Sequence, residues 1–217
     1  MRDISPSVLS ADFSKIKEQI NIVKEAGANR LHLDVMDGNF VPNLTFGPII
    51  IKAIKKITNL HLETHLMINN PNQYIDDYIK AGSDTLIFHY EASNDIQRDL
   101  EMIKNKGIKC GIAIKPETSY KVLEKFIDTL DYILIMSVSP GFGGQGFIKE
   151  TLIKMESIHK MCINSKRRDK IKIGVDGGIN LKTIKKVYNT GIDITIVGSA
   201  LYGANDIKHR FKELMNA

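Results

Sequence analysis

Short runs of apolar, often β-branched residues alternate along the chain with longer segments whose apolar residues recur every three or four positions. Runs of the first kind are typical of buried strands, and segments of the second kind are typical of helices that cover a sheet. The predicted strands are residues 4–9, 30–36, 61–68, 85–90, 109–114, 132–138, 172–176 and 192–198. A helical segment follows each of them, and the last one covers residues 205–215.

This strict alternation predicts parallel strands, because each helix returns the chain to the same end of the sheet. Eight units are enough to close a barrel. An open doubly wound sheet is the alternative, but it normally carries a glycine-rich fingerprint after its first strand, and Ser7-Val8-Leu9-Ser10 stands there instead. We therefore expect an α/β chain of one domain, residues 1–217, folded as a single (β/α)8 TIM barrel.

Glycine and asparagine mark the expected helix boundaries. Gly27, Gly82, Gly107 and Gly191 each follow a helical segment and precede a strand, where a left-handed residue ends a helix well. Residues 70–73, Asn-Pro-Asn-Gln, predict a helix start with the asparagine as its cap.

The charge distribution favours a small anionic ligand over a nucleic acid. The 217 residues carry a formal net charge of +5, which suits a small phosphorylated substrate. One basic cluster has no interleaved aromatic residues, and we interpret it as a solvated helix end rather than a nucleic-acid site. It consists of Lys166, Arg167, Arg168, Lys170 and Lys172.

The two cysteines and the hydropathy pattern predict a cytoplasmic protein. Cys110 and Cys162 match no metal or redox spacing, so we expect free thiols in a reducing compartment. The start of the chain lacks the pattern of a signal peptide, and no apolar run reaches the length of about 18 residues that a membrane span needs. We expect no membrane partner.

Histidine and aspartate accumulate where the predicted strands end. His32 and Asp34 lie two residues apart in the second strand, so their side chains share its inward face. His65 ends the third strand and Asp176 the seventh, and the carboxyl ends of barrel strands converge on one mouth. Two imidazoles and two carboxylates there form a four-ligand site for a divalent ion.

The other four histidines are not expected to bind the metal. His61 and His89 lie in the third and fourth strands, and a single buried histidine is more often a hydrogen-bonded core residue than a ligand. His159 and His209 lie on helices and are expected to face solvent.

Three glycine-rich segments follow the last three strands. They are residues 139–147 (SPGFGGQGF), Asp176-Gly177-Gly178 and Gly198-Ser199-Ala200. Glycines at loop-to-helix junctions let backbone N–H groups approach a phosphate, and a phosphate site after the seventh and eighth strands is frequent in such barrels. Gly143 and Gly144 also suit a lid that closes over a reactive intermediate.

Three methionines lie at or just after strand ends: Met36, Met67 and Met136. They either fill irregular gaps in the packing or form a soft, polarizable pocket wall beside a charged intermediate.

In their order and spacing, these motifs closely resemble the ribulose-phosphate 3-epimerase family over the whole chain. The segments that carry the resemblance are PSVLSADF, HLDVMDGNFVPNLTFGP, THLM, MSVSPGFGGQGF, VDGGI and VGSALY. The resemblance implies a (β/α)8 barrel of the ribulose-phosphate-binding type that interconverts D-ribulose 5-phosphate and D-xylulose 5-phosphate in the pentose phosphate pathway. It also implies one divalent metal ion per subunit, zinc first, with iron(II), manganese or cobalt as alternatives.

Residue by residue, the resemblance implies that His32, Asp34, His65 and Asp176 hold the metal, and that Asp34 and Asp176 are the acid–base pair. It implies that Ser7, His65 and Asp176 touch the sugar. The phosphate end and the lid would comprise Gly141, Phe142, Gly143, Gly144, Gly177, Gly178, Gly198 and Ser199. The resemblance further implies a homo-oligomer, a dimer or larger.

Inversion of a carbon next to a carbonyl requires that one group removes a proton from one face and another returns a proton to the opposite face. Asp34 and Asp176, on the second and seventh strands, are placed for these roles.

Three rival hypotheses remain at this stage. One is a 3-epimerase of a six-carbon ketose phosphate such as allulose 6-phosphate. Another is a metal-independent lyase, which would need a strand-end lysine, and residues 32–37 contain none. The third is a catalytically silent barrel that binds a sugar phosphate.

Overall fold

The computed structural model describes residues 2–217, so Met1, the first residue of the predicted domain, lies outside the described part. Its strands are β1 (Asp3–Pro6), β2 (Arg30–Met36), β3 (His61–Met67), β4 (Thr85–His89), β5 (Lys109–Ile114), β6 (Tyr132–Met136), β7 (Lys172–Asp176) and β8 (Ile194–Val197). All neighbours pair in parallel in the order β1-β8-β7-β6-β5-β4-β3-β2. A single parallel bridge between Ser7 and His32 joins the two ends of this sheet. The sheet thereby closes into the predicted (β/α)8 barrel.

The α-helices surround the strands. They are α1 (Ile16–Ala26), α2 (Pro48–Ile57), α3 (Ile75–Ala81), α4 (Ile96–Asn105), α5 (Thr151–Asn164), α6 (Ile184–Tyr188), α7 (Ser199–Tyr202) and α8 (Ile207–Met215). The connection from β5 to β6 contains a 3-10 helix, Tyr120–Phe126, where the alternation predicted an α-helix. The predicted first strand also ends early, because residues Val8–Ser10 form a 3-10 turn.

Alternation along each strand separates two apolar layers. Leu31, Leu33 and Val35 of β2 are fully or almost fully buried in the large cluster between the strands and the surrounding helices. A smaller cluster, which includes Leu134 and Ile196, fills the interior of the barrel. His32 and Asp34 alternate with the outward leucines, as the period of two predicts. The barrel is therefore a filled core, and its functional groups must lie at one end of it.

Glycine ends several helices as predicted, but the asparagine cap was wrong. Gly27 and Gly82 follow α1 and α3 with φ of +114° and +107°. A short helix does begin at the predicted place, because Pro71–Gln73 form a 3-10 turn with Asn70 at its N-cap position. Asn70 has φ +50°, its side chain makes no capping hydrogen bond, and α3 begins only at Ile75. The Asn70 side chain instead accepts a hydrogen bond from Nδ2 of Asn94 at 3.1 Å, so a neighbouring loop competes for the capping group.

Other sequence-based expectations concern single side chains. Cys110 and Cys162 are both buried and unpaired, as expected. His209 is exposed, but His159 is half-buried and accepts a hydrogen bond from Nε of Arg168 at 2.9 Å, so its predicted solvent exposure was wrong. Arg168 also pairs with Asp193 at 2.8 Å, which shows that one member of the basic cluster stabilises the fold itself. Within residues 2–217, no helix is long and apolar enough to cross a membrane.

Candidate active site

Four side chains from three strands meet inside the carboxyl end of the barrel. His32 and Asp34 come from β2, His65 from β3 and Asp176 from β7, and one ligand atom of each lies within 4.8 Å of the other three. The strand register explains the meeting, because Asp34 pairs with His65 across the β2–β3 ladder. The sequence predicted all four members of this cluster.

The separations between these atoms are those of ligands around one small cation. Nε2 of His32 lies 3.3 Å from Nδ1 of His65 and 3.3 Å from Oδ1 of Asp34. Nδ1 of His65 lies 3.1 Å from that same oxygen and 4.0 Å from Oδ2 of Asp176. Tetrahedral zinc with bonds of about 2.0–2.2 Å places its ligand atoms roughly 3.2–3.6 Å apart. The residues present therefore fit a divalent metal ion.

Asp34 is held as a carboxylate. Its Oδ2 accepts a hydrogen bond of 2.6 Å from the Ser7 hydroxyl, while Oδ1 faces both imidazoles. Burial alone raises the pKa of Asp34, but the charge and hydrogen bonds of His32 and His65 outweigh it, so the pKa lies well below its usual range. Asp34 is therefore ionised at neutral pH.

Asp176 has the opposite environment. Its side chain is 17% exposed at the rim of the site, and 4.0 Å separates it from Nδ1 of His65. Burial, and then repulsion by the charge of Asp34, raise the pKa of Asp176 to about 7. The ligand oxygens of Asp34 and Asp176 lie within 4.8 Å of each other, and like charges this close resist joint ionisation, so without a metal ion the two carboxyl groups differ in their affinity for a proton.

A second carboxylate lies behind His32, and the sequence analysis did not single it out. Glu63 of β3 is fully buried, accepts a hydrogen bond from the Ser5 hydroxyl at 2.8 Å and pairs with Arg30. Its Oε2 faces Nδ1 of His32 at 3.7 Å. Burial raises the pKa of Glu63, but His32 and Arg30 outweigh that effect and bring the pKa down to about 2. The signal was its place two residues before His65 on the same face of the strand.

His61 and His89 both lie outside the four-residue cluster and are hydrogen-bonded, as expected, but only His89 is fully buried, whereas His61 is half-buried. Nε2 of His61 lies 2.7 Å from the Thr85 hydroxyl. Nε2 of His89 lies 3.0 Å from Nε2 of His65, so His89 is a direct neighbour of the cluster.

A cleft of about 260 Å³ opens above the cluster. Asp34, Asp176 and Ser7 form part of its floor, and the three methionines predicted as a pocket wall line it: Met36, Met67 and Met136. His32 and His65 are fully buried beneath it.

The predicted glycine segments form one side of this cleft. Its lining includes Gly141, Phe142, Gly143, Gly144, Gly177, Gly178, Gly198 and Ser199. Among residues 2–217, the amides of Gly178 and Ser199 donate to no protein acceptor, so both are free to receive an anion. A Cβ at Gly178 would lie 2.5 Å from the backbone nitrogen of Phe147, and its φ is +66°, so glycine is required there.

The loop that covers the cleft is held at two points that sequence reasoning missed. Nδ2 of Asn43 donates to the Gly141 carbonyl at 2.6 Å. Nε2 of Gln145 donates to the carbonyls of Ser139 and Phe142 at 2.7 and 2.8 Å. Phe142 itself remains 54% exposed at the tip of the loop. The loop backbone is therefore tied at Gly141 and Phe142, and the Phe142 side chain is the part that projects into solvent.

Comparison with known proteins gives one consistent result. The model of the ribulose-phosphate 3 epimerase family matches residues 3–202. Ribulose-phosphate 3-epimerase of Bacillus subtilis is 42% identical over 214 residues, which cover 99% of this chain and 98% of the relative. The enzyme of the same name from Synechocystis is 44% identical over 203 residues, covering 93% of this chain and 87% of the relative.

Likeness to solved structures extends to more distant barrels. The structure of KGPDC from Streptococcus mutans has a TM-score of 0.74 at 10% sequence identity, and the match covers 100% of this chain and 96% of that one. At this identity the likeness shows the fold alone.

Proposed function

The chain belongs to the ribulose-phosphate 3-epimerase family, and we propose that Asp34 and Asp176 form the acid–base pair of its reaction. It is an isomerase that epimerises D-ribulose 5-phosphate to D-xylulose 5-phosphate in the pentose phosphate pathway. The observation that carries the assignment of roles is the cluster in which two aspartates line the floor of the cleft and two histidines lie buried directly beneath them.

The two aspartates differ in the way that epimerisation requires. One group must remove the C3 proton as a base while a second group delivers a proton to the opposite face of the planar enediolate. Asp34 is ionised and accepts a hydrogen bond from Ser7, while the pKa of Asp176 is raised to about 7 by burial and by Asp34. Without a metal ion, Asp34 is therefore the base of the pair and Asp176, with its pKa near neutral, is the group able to carry a proton; the reverse reaction exchanges these roles.

Their positions in the barrel support action from two sides. Asp34 belongs to β2 and Asp176 to β7, and β1 and β8 lie between these strands in the sheet. A sugar seated in the cleft is therefore flanked by carboxyl groups from different sectors of the barrel wall. Two bases on one strand would approach the same face of C3.

His32, Asp34, His65 and Asp176 would hold the divalent metal ion, for which we propose zinc because nitrogen and oxygen donors at these separations suit it. When bound, the metal supplies a positive charge that stabilises negative charge developing on the sugar oxygens and acidifies the C3 proton. The protein's own part is to keep both imidazoles buried and Asp34 ionised.

The rest of the cleft is proposed to bind the substrate. The Ser7 hydroxyl contacts the sugar, and the methionine wall offers it a polarizable surface. His65 is fully buried beneath the cleft and does not line it, so its proposed role toward the sugar would be exerted through the metal that it holds. The phosphate lies against the backbone at Gly177–Gly178 and Gly198–Ser199, where two amides donate to no protein acceptor in the described chain. Closure of residues 141–144 excludes water from the enediolate.

Cellular placement and assembly complete the proposal. Two buried, unpaired cysteines support a reducing compartment, the cytoplasm.

Leu44 and Ile49 are 73% and 83% exposed near the start of α2, which supports a homo-oligomer, a dimer or larger. Light scattering at micromolar concentration measures that assembly directly.

Proton NMR of D-ribulose 5-phosphate in deuterium oxide tests the proposed chemistry. With zinc-loaded protein, we expect xylulose 5-phosphate to appear with deuterium at C3. Metal-stripped protein should give neither xylulose 5-phosphate nor deuterium at C3. Allulose 6-phosphate serves as the comparison substrate, and faster turnover of that sugar would contradict the pentose assignment. Inversion without any solvent deuterium would contradict proton exchange through the aspartates.

A further inference from the structure

His65 is backed by a second imidazole and a carboxylate. Its Nδ1 faces the four-residue cluster, and its Nε2 lies 3.0 Å from Nε2 of His89 on β4. Nδ1 of His89 in turn lies 3.1 Å from Oε2 of Glu91. Both imidazoles are fully buried, so neither ring can replace these partners with water. A continuous chain of polar contacts therefore runs from the cluster to Glu91.

Glu91 is fixed by its own neighbours. Its Oε1 accepts hydrogen bonds from the Lys115 amide at 2.9 Å and from the Thr118 hydroxyl. The loop that provides these donors is itself anchored, because Nζ of Lys154 donates to the carbonyls of Lys115, Pro116 and Thr118 at 2.9, 2.6 and 2.6 Å. Oε2 of Glu91 is therefore the oxygen that accepts a hydrogen bond from Nδ1 of His89.

This arrangement selects one tautomer for each ring. An ionised carboxylate accepts only, so Nδ1 of His89 must carry a proton and its Nε2 must be the acceptor. That acceptor requires a proton on Nε2 of His65. The 3.1 Å contact between Nδ1 of His65 and ionised Asp34 competes with this relay, because it favours a proton on Nδ1. In the neutral imidazole that the relay favours, Nδ1 of His65 instead presents its lone pair toward Asp34 and His32. This is the form that binds a metal ion.

We infer that Glu91, acting through His89, is a positioning residue that holds His65 in the tautomer required for metal binding. The inference rests on the metal site of the proposed function. It adds a hydrogen-bonded support two residues removed from the metal, with no contact between Glu91 and the substrate cleft. Phe40 covers the relay, because its ring centroid lies 4.8 Å from that of His89.

Replacement of Glu91 by Gln tests the relay because it reverses the direction of donation. The carbonyl oxygen of the new amide side chain can keep the bonds from Lys115 and Thr118, which places the NH2 group of that amide against Nδ1 of His89. His89 must then donate from Nε2, and His65 must carry its proton on Nδ1, the nitrogen that should bind metal. Loss of a hydrogen-bonded support to a metal ligand typically lowers affinity about 10–100-fold.

Zinc affinity, measured by competition with a chromophoric chelator, is the first readout. We expect Glu91→Gln to bind zinc at least about tenfold more weakly than the wild type. Glu117→Gln is the matched control, because Glu117 is exposed in the same loop and loses the same charge. Equal affinities for the wild type and Glu91→Gln would overturn the inference, as would an equal loss in both variants.

A second readout needs no variant. In zinc-loaded, 15N-labelled wild type, two-bond 1H–15N correlation spectra should show His89 protonated on Nδ1, and protonation on Nε2 would overturn the relay. These measurements also separate the two levels of the argument. If the wild type binds no zinc, the metal site and the relay are overturned together. If Glu91→Gln binds zinc as tightly as the wild type does, only the relay is overturned.

Discussion

Replacement of Asp176 by Asn should remove inversion while leaving the fold intact. The carboxyl group has no hydrogen-bond donor among the described residues, and the nearest ring nitrogen, Nδ1 of His65, is 4.0 Å away. An amide has nearly the same shape as a carboxyl group, so no hydrogen bond within the protein is lost. We therefore expect a small change in the free energy of unfolding, within about 0.5 kcal/mol.

The effect on the rate should be much larger. A positioned acid or base contributes about 10²–10⁴ to a proton transfer, so we expect kcat to fall roughly a thousandfold. This corresponds to about 4 kcal/mol of added barrier. The assay is proton NMR in deuterium oxide at saturating zinc, with metal content measured in the same samples because Asp176 also belongs to the metal cluster.

The variant also has a qualitative signature. Asp34 remains ionised in Asp176→Asn, so it can still exchange the C3 proton of the epimer whose proton faces it. We expect deuterium to enter one epimer without inversion. Asp169→Asn, an exposed change of the same kind, serves as the control. Inversion within tenfold of the wild-type rate, at equal metal content, would refute the two-base scheme.

Three further predictions concern the metal, the phosphate end and the relay. Removal of metal with a chelator should abolish epimerisation and lower the unfolding temperature, and added zinc should restore both; full activity after complete chelation would contradict the metal site. Gly178→Ala should raise KM and should lower the stability more than Gly38→Ala does. Both positions have positive φ, but only Gly178 lacks space for a Cβ. Steady-state kinetics and thermal unfolding measure these two effects. Burial raises the pKa of Glu91, but hydrogen bonds from His89 and Thr118 lower it to about 2. The ionised Glu91 therefore stabilises the folded protein fully above its ordinary pKa of 4.5, and this stabilisation is lost as the pH falls toward 2. Urea unfolding between pH 6 and 3 should show a shallower loss of stability in Glu91→Gln, and parallel curves would contradict this.

The strands could be predicted because their signal is local. The observed β2, β5 and β7 have the predicted bounds, since alternation and β-branched residues act within each segment. Strand β1 was overextended, because apolar Val8 and Leu9 continue the pattern although the backbone has already turned. Asn70 fits the sequence signature of a helix cap, but Asn94, 24 residues away along the chain, takes its side chain. Prediction from the local sequence therefore fails where a residue distant along the chain forms a hydrogen bond with the same side chain.

In the candidate active site, too, the features that follow from local sequence could be predicted, whereas those that depend on contacts between distant residues could not. His32, Asp34, His65 and Asp176 could be predicted because strand ends of a parallel barrel converge on one mouth. Glu63 and His89 lie on the same inward faces, yet their roles depend on which atoms meet across neighbouring strands. That meeting follows from the strand register and side-chain orientation, which residue types alone leave open.

The two aspartates show how neighbouring atoms give one residue type two roles. Asp34 is fixed by Ser7 on one oxygen and by the two imidazoles on the other, which makes it a permanent anion. Burial, and then repulsion by that anion, raise the pKa of Asp176, which has no comparable donors, so the protonation of the second carboxyl depends in part on the ionisation of the first. Ser7→Ala should raise the pKa of Asp34 by removing one hydrogen bond, but the two imidazoles still keep Asp34 ionised near pH 7, so the pKa of Asp176 should stay raised. The difference between acid and base thus originates in the charge and hydrogen bonds of the imidazoles at Asp34 and in the burial of Asp176 beside that anion.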